Sequence, residues 1–313
     1  MTQSADANIL EQPVIQGPFP RSLGIEISPA HAGELLKSAQ SLPRYDNKEF
    51  YSPDLQKFVH ECVRASCPDE FDALINLIKE QIAQWPYWVL LRGIHFDDGN
   101  RLFVAVNRAF GELVAPPYEK PRAQLVHYIQ PSTDIRSSRG GRESERLHTD
   151  TADWKAPVEF ISMACVQPDR DGGGRTRILD VETVRDEVRN RLGDETLKLL
   201  QNEPVPWQLA AYCGGGVEWR PVLTKSSICW RRYTIDLALD AEGASLSNEM
   251  RSSLDAFEEV ITATTRTAEF LMREGELLFS DNTRTIHSRT PVVDDASGQS
   301  SDRLMLRAWI RAS

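Results

Sequence analysis

The cysteines of this 313-residue chain show no pairing pattern. Cys62, Cys67, Cys165, Cys213 and Cys229 are odd in number and contain no C-x-x-C, which argues against a disulfide framework or a zinc knuckle. No apolar run approaches the about 18 residues of a membrane-spanning helix, and the start Met1-Thr2-Gln3-Ser4-Ala5-Asp6 has neither a basic nor an apolar leader segment. Basic excess is missing as well. A net charge of −10 repels phosphate backbones and anionic membrane surfaces. The glycine runs Gly172-Gly173-Gly174 and Gly214-Gly215-Gly216 lack the Lys-Ser/Thr tail of a phosphate loop. No internal repeat or low-complexity block is evident. These absences lead to the expectation of a cytoplasmic protein acting on a small molecule, with neither nucleic acid nor membrane as partner.

What is present supports one core. With 41% apolar residues, a chain of this length forms a single domain, expected over residues 21–313 after a loose polar arm at 1–20 marked by Pro13, Gly17, Pro18 and Pro20. Phe71, Leu74, Ile75, Ile78 and Ile82 share a helical face, with Ser66 as cap and Pro68 in the first turn. Tyr87 to Ile94 reads as a buried strand and Leu102 to Val114 as a helix. Strands are expected at Gln124 to Gln130, Glu159 to Gln167, Val205 to Leu209, Val217 to Leu223 and Ile228 to Leu239. Ile178-Leu179-Asp180 closes a strand and opens a helix, and Leu197 to Leu200 lies in another. Met250, Leu254, Phe257 and Ile261 mark a helix before a strand pair at Glu276 to Ser280 and Thr285 to Arg289. Many short strands with flanking helices suit a double-stranded β-helix, the cupin-like jelly roll.

The chemistry concentrates in His148-Thr149-Asp150 and the distant His287. Alternate residues of an extended segment project to one side, so an H-x-D grips one ion, and a second histidine returned by a closed fold completes two imidazoles and one carboxylate. That facial set leaves positions on Fe(II) open for a co-substrate and dioxygen. A second H-x-D, His95-Phe96-Asp97, runs into the turn Asp98-Gly99-Asn100 and reads as structural. In the last strand, Arg303, Met305, Arg307, Trp309 and Arg311 alternate with Leu304, Leu306, Ala308 and Ile310. Inward arginines call for an anionic partner such as a dicarboxylate; a solvated edge strand is the alternative. Asp134 to Arg146, rich in arginine and glycine, reads equally as a mobile lid or a solvated loop. Trp154 shapes the pocket or packs in the core.

These residues together, His148-x-Asp150, His287, Asp302-Arg303-x-x-x-Arg307 and Gly173-Gly174-Arg175-Thr176, resemble the taurine dioxygenase and clavaminate synthase-like group (TauD/TfdA) of Fe(II)/2-oxoglutarate oxygenases, over about residues 85 to 311. The resemblance implies that His148, Asp150 and His287 hold iron. It implies that Arg303 and Thr176 bind the distal carboxylate of 2-oxoglutarate and that Arg307 anchors an acidic group of the substrate. It further implies a dioxygenase that consumes O2, releases succinate and CO2, and hydroxylates an unactivated C–H of a small carboxylated, amino-acid-like substrate. Desaturation, epoxidation or cyclisation on the same iron, in natural-product tailoring or in sulfonate or carboxylate scavenging, stays open beside it. A zinc hydrolase, a cupin-type isomerase and a non-catalytic metal-binding protein are the remaining alternatives. A carboxylate at position 150 argues against a halogenase, which needs a small residue there.

Overall fold

A computed structural model describes residues 24–115, 125–131, 145–170, 172–241, 245–292 and 301–312. The expected arm at 1–20 and most of the 134–146 loop lie outside the described residues. In chain order the elements are β1 (Gly24–Glu26), α1 (Pro29–Gln40), α2 (Pro53–Ser66), α3 (Pro68–Ala83), β2 (Trp88–Arg92), α4 (Arg101–Arg108), β3 (Glu112–Val114), β4 (His127–Ile129), β5 (Glu145–His148), β6 (Phe160–Gln167) and β7 (Thr176–Asp180). They continue with α5 (Val181–Leu192), α6 (Asp194–Asn202), β8 (Val205–Gln208), β9 (Val217–Arg220), α7 (Arg232–Ala241), α8 (Asn248–Ala263), β10 (Ala268–Phe270), β11 (Leu277–Asp281), β12 (Thr285–Arg289) and β13 (Leu304–Arg311).

All strands but β8 and β9, which pair as a separate two-stranded ribbon, form the two sheets of a jelly roll. The larger runs β1-β2-β11-β6-β13-β3, with β4 also on β13, and the smaller runs β10-β7-β12-β5. Strand alternation sorts the apolar side chains into layers. Trp88, Leu90, Leu278, Met305, Ile178 and Phe270 fill the space between the sheets, where Trp88 stacks on Phe270 with ring centroids 5.6 Å apart. Val89, Leu91, Phe279 and Ile310 point the other way and pack under α1 to α4. Leu179 and Ile286 do the same on the smaller sheet, under α5, α6 and α8. Helix α3 buries the face read from its sequence, Phe71, Leu74, Ile75, Ile78 and Ile82, against β2 and β11. No described helix is long and apolar enough to cross a membrane.

Four local expectations need correction. The run Leu102 to Val114 is a helix only to Arg108; Gly111 then turns the chain into β3 with φ +152, where a Cβ would lie 2.0 Å from the Arg311 carbonyl oxygen. Ile228 to Leu239 is largely α7. Its alternating Tyr233, Ile235, Leu237 and Leu239 imitate a strand, yet the structure buries Thr234, Ile235 and Ala238, a helical spacing, and exposes Tyr233 and Leu237. Ser66 closes α2, its hydroxyl donating to the Cys62 carbonyl, so Cys67 precedes α3. The strands at 277–281 and 285–289 do not pair with each other but belong to opposite sheets.

Candidate metal centre

Strands β5 and β12 run antiparallel with His148 directly opposite His287, which places the two imidazole centroids 4.6 Å apart. The closed fold thus returns the distal histidine beside the H-x-D as the spacing required. Asp150 itself sits just past the end of β5 rather than in it, in a turn where Thr151 has φ +54. Backbone clamps hold that turn. The Thr149 N–H donates to the Trp230 carbonyl at 2.7 Å and its hydroxyl accepts the Trp230 N–H at 3.0 Å. Buried Asn282, in the bend between β11 and β12, accepts the Asp150 N–H at 3.1 Å and donates to the Asp150 and Val158 carbonyls at 3.1 and 2.8 Å. One amide therefore ties the acid to the segment that leads into His287.

The Asp150 carboxylate has two distinct sides. Oδ1 lies 3.3 Å from His148 Nε2 and 3.9 Å from His287 Nε2. Oδ2 accepts from Trp309 Nε1 at 2.7 Å and from Arg307 Nη1 at 3.2 Å. Burial pushes this carboxyl up, but the Arg307 charge and the two histidines outweigh it and hold it well below the usual carboxylate range. His148 Nδ1 lies 2.8 Å from the Arg146 carbonyl oxygen. A carbonyl only accepts, so Nδ1 carries a proton, and Nε2 is the nitrogen turned to the site.

The donor set suits a divalent first-row ion. Ligand atoms of His148, Asp150 and His287 all lie within 4.8 Å of one another. Adjacent ligands about 2.1 Å from a metal stand about 3 Å apart, so a small closure completes the shell, and three protein ligands leave three octahedral positions free. His148 and Asp150 border a cleft of about 640 Å³ whose wall includes Trp154, Tyr212, Arg307 and Trp309. The Trp154 N–H donates to the Tyr212 hydroxyl at 2.7 Å; the tryptophan is both packed and part of the wall. Salt bridges Arg146–Glu258 at 2.9 Å and Arg232–Asp236 at 2.8 Å rim the cleft.

Arg303 and Thr176 are both buried. Gly174, two residues before Thr176, has φ +64, and a Cβ there would lie 2.8 Å from Arg303 Nε, so the glycine makes room for the guanidinium. Thr176 is the register partner of Arg289, two residues past His287. Arg307 packs its guanidinium 4.7 Å from the Trp309 ring, and its Nη2 lies 3.3 Å from Nδ1 of His127, its register partner on β4. Burial first, then the Arg307 charge, lowers the His127 pKa to about 3, so that imidazole is neutral.

By contrast, His95 is exposed and Asp97 caps α4, accepting the N–H groups of Gly99, Arg101 and Leu102 at 3.1, 3.1 and 2.8 Å. The five cysteines are free, and burial pushes the Cys165 thiol up to about 12 and Cys229 up to about 11, which removes them as nucleophiles at neutral pH. Sequence reading missed Asn282, His127 and the bond from Trp309 to Asp150. The Asp281-Asn282 dipeptide just before His287 was a usable signal for the first; His127 had none.

A model of the "Taurine catabolism dioxygenase TauD, TfdA family" matches residues 65–309. No curated protein sequence matches the chain. Among solved structures, an asparagine oxygenase in complex with Fe(II), 2S,3S-3-hydroxyasparagine and succinate superposes with TM-score 0.73 at 16% identity, covering 92% of this chain and 93% of that one. The non-heme iron oxygenase OrfP in complex with Fe and alpha-ketoglutaric acid gives TM-score 0.72 at 17% identity, covering 93% and 94%. OrfP with Fe, succinate and (3S)-hydroxy-L-Arg gives 0.70 at 16% with the same coverage. At these identities the likeness shows the shared fold. With the family model spanning most of the chain, the protein belongs to the TauD/TfdA family and is a non-haem Fe(II)/2-oxoglutarate-dependent oxygenase.

Proposed function

We propose that the enzyme hydroxylates an unactivated C–H of a small carboxylated, amino-acid-like substrate, with His148, Asp150 and His287 as iron ligands. The observation that carries the substrate class is Arg307. Its guanidinium stands on the cleft wall beside Asp150, and its buried Nε–H has no hydrogen-bond partner among the described residues. The partly buried guanidinium already meets Asp150; on the cleft wall it has donors to spare for a second carboxylate, that of a substrate. The solved structures of similar fold act in keeping with this: one holds hydroxyasparagine, another hydroxyarginine.

Bound Fe(II) and 2-oxoglutarate supply the oxidising power: O2 delivers one oxygen atom to the substrate C–H and one to succinate, with loss of CO2. The protein's part is placement. Arg303, with Thr176, takes the distal carboxylate of 2-oxoglutarate. Arg307 fixes the substrate by its acidic end and so sets which carbon faces the ligand set. Trp154, Tyr212 and Trp309 give one part of the cleft wall aromatic surface, beside charged groups such as Asp153, Arg231 and Asp236.

The test is succinate formation across a panel of free amino acids and their decarboxylated amines. Succinate release stimulated by acids and not by the matching amines is the expected result. Equal stimulation by amines would contradict the anchor.

A further inference from the structure

We propose that Trp309 is a positioning residue that makes Asp150 present a single oxygen, Oδ1, to the iron. The proposal rests on the reading of Asp150 as a ligand. A free carboxylate has two equivalent oxygens and binds a metal through either or both. Here they are inequivalent. Oδ1 is the oxygen that faces both histidine Nε2 atoms, while Oδ2 is held by the Trp309 indole at 2.7 Å, the distance of a hydrogen bond to a charged acceptor.

The indole has one N–H and no acceptor, so it cannot exchange roles. Its ring is fixed by an edge-on contact to Trp154 with centroids 5.8 Å apart, another to His127 at 4.6 Å, and the Arg307 guanidinium 4.7 Å away. Turning the carboxylate to offer both oxygens would strand the indole N–H inside the cleft wall. Arg307 also touches Oδ2, at 3.2 Å, but it is the residue that a substrate anion draws on. Trp309 is committed to Asp150 alone and holds the orientation whether or not substrate is bound. The consequence is positional. A carboxylate bound through both oxygens occupies a fourth site of an octahedral ion, and 2-oxoglutarate and dioxygen together need three.

The experiment compares wild type, Trp309→Phe and Asp150→Ala, purified metal-free, by Co(II) absorption and Fe(II) titration. Phenylalanine keeps the ring contacts and removes the donor. Trp309→Phe is expected to weaken Fe(II) binding about 10- to 100-fold, the usual loss when a partner behind a ligand is removed. It should also change the Co(II) ligand-field spectrum while retaining the wild-type melting temperature. Wild-type affinity with a superimposable Co(II) spectrum would overturn the proposal, provided Asp150→Ala loses the metal. If Asp150→Ala binds Co(II) as wild type does, the ligand reading itself fails and the role of Trp309 falls with it. Should Trp309→Phe not fold, indole ¹⁵N spectra of metal-free wild type and Asp150→Ala decide. The proposal requires the most downfield indole N–H to move upfield in the variant, and an unmoved resonance overturns it.

Discussion

The chain contains the same three-residue pattern twice, and the two copies do different things. Asp97 and Asp150 are equally buried, 4% and 3% exposed, and each meets an arginine, Arg101 at 2.9 Å and Arg307 at 3.2 Å. What separates them is how their oxygens are used. Those of Asp97 are spent on three backbone N–H groups of its own turn and on a side chain four residues away. Asp150 spends Oδ2 on groups from the far end of the chain and keeps Oδ1 aimed at two imidazole nitrogens. His95 points to solvent while His148 is enclosed, with side chains 58% and 15% exposed. A motif becomes a metal site only where the fold leaves donor atoms unspent and facing one another.

Several substitutions would break or sharpen that contrast. The largest effect on stability is expected at the structural copy. Asp97→Ala removes the cap of α4 and leaves Arg101 buried without its partner, a loss of about 3–5 kcal/mol, measurable by urea denaturation. The fraction that folds should still bind iron as wild type does. On the functional side, Arg303→Ala should weaken 2-oxoglutarate binding by roughly 2–5 kcal/mol, whereas Arg307→Ala should spare it and uncouple succinate release from substrate oxidation. Equal loss of 2-oxoglutarate binding in both variants would remove the division of labour between the two arginines.

The effect that is smallest at neutral pH, and grows only in acid, concerns a buried imidazole outside both motifs. His127 has its pKa lowered from 6.5 to about 3. Between those values the unfolded chain takes up a proton that the fold excludes. This stability is therefore fully present above 6.5 and is lost as pH falls towards 3, with a slope of up to about 1.4 kcal/mol per pH unit. His127→Asn should flatten that dependence. An unchanged slope would mean that other groups set the acid limit.

The site was legible in the sequence to the extent that local pattern encodes it. The H-x-D was a weak signal alone, since the chain holds it twice. His148, Asp150 and His287 became legible together with Arg303 and Arg307, which strand alternation turns inward, although the same alternation also turned Arg311 inward and the structure exposes it. Helix α3 was readable from its apolar face. Helices α1 and α2 were not anticipated, although Ser28-Pro29 and Ser52-Pro53 are capping signals of the ordinary kind, each serine accepting a backbone N–H. Helix α7 was hidden by apolar alternation that is real in the sequence but is not what the fold buries. Trp309 on Asp150 and Arg307 on His127 depend on contacts between residues 159 and 180 positions apart. Register across a closed sheet decides such pairs, and no window of sequence contains it.

The most direct test of the central claim, that the second copy of the pattern and not the first holds the iron with His287, is iron stoichiometry in paired variants. Wild type and His95→Ala should each bind one Fe(II) per chain and, with 2-oxoglutarate under anaerobic conditions, develop the visible charge-transfer band of the chelate. His148→Ala and His287→Ala should retain their fold and show neither. Iron bound at wild-type stoichiometry in His287→Ala, or lost in His95→Ala, would contradict the account.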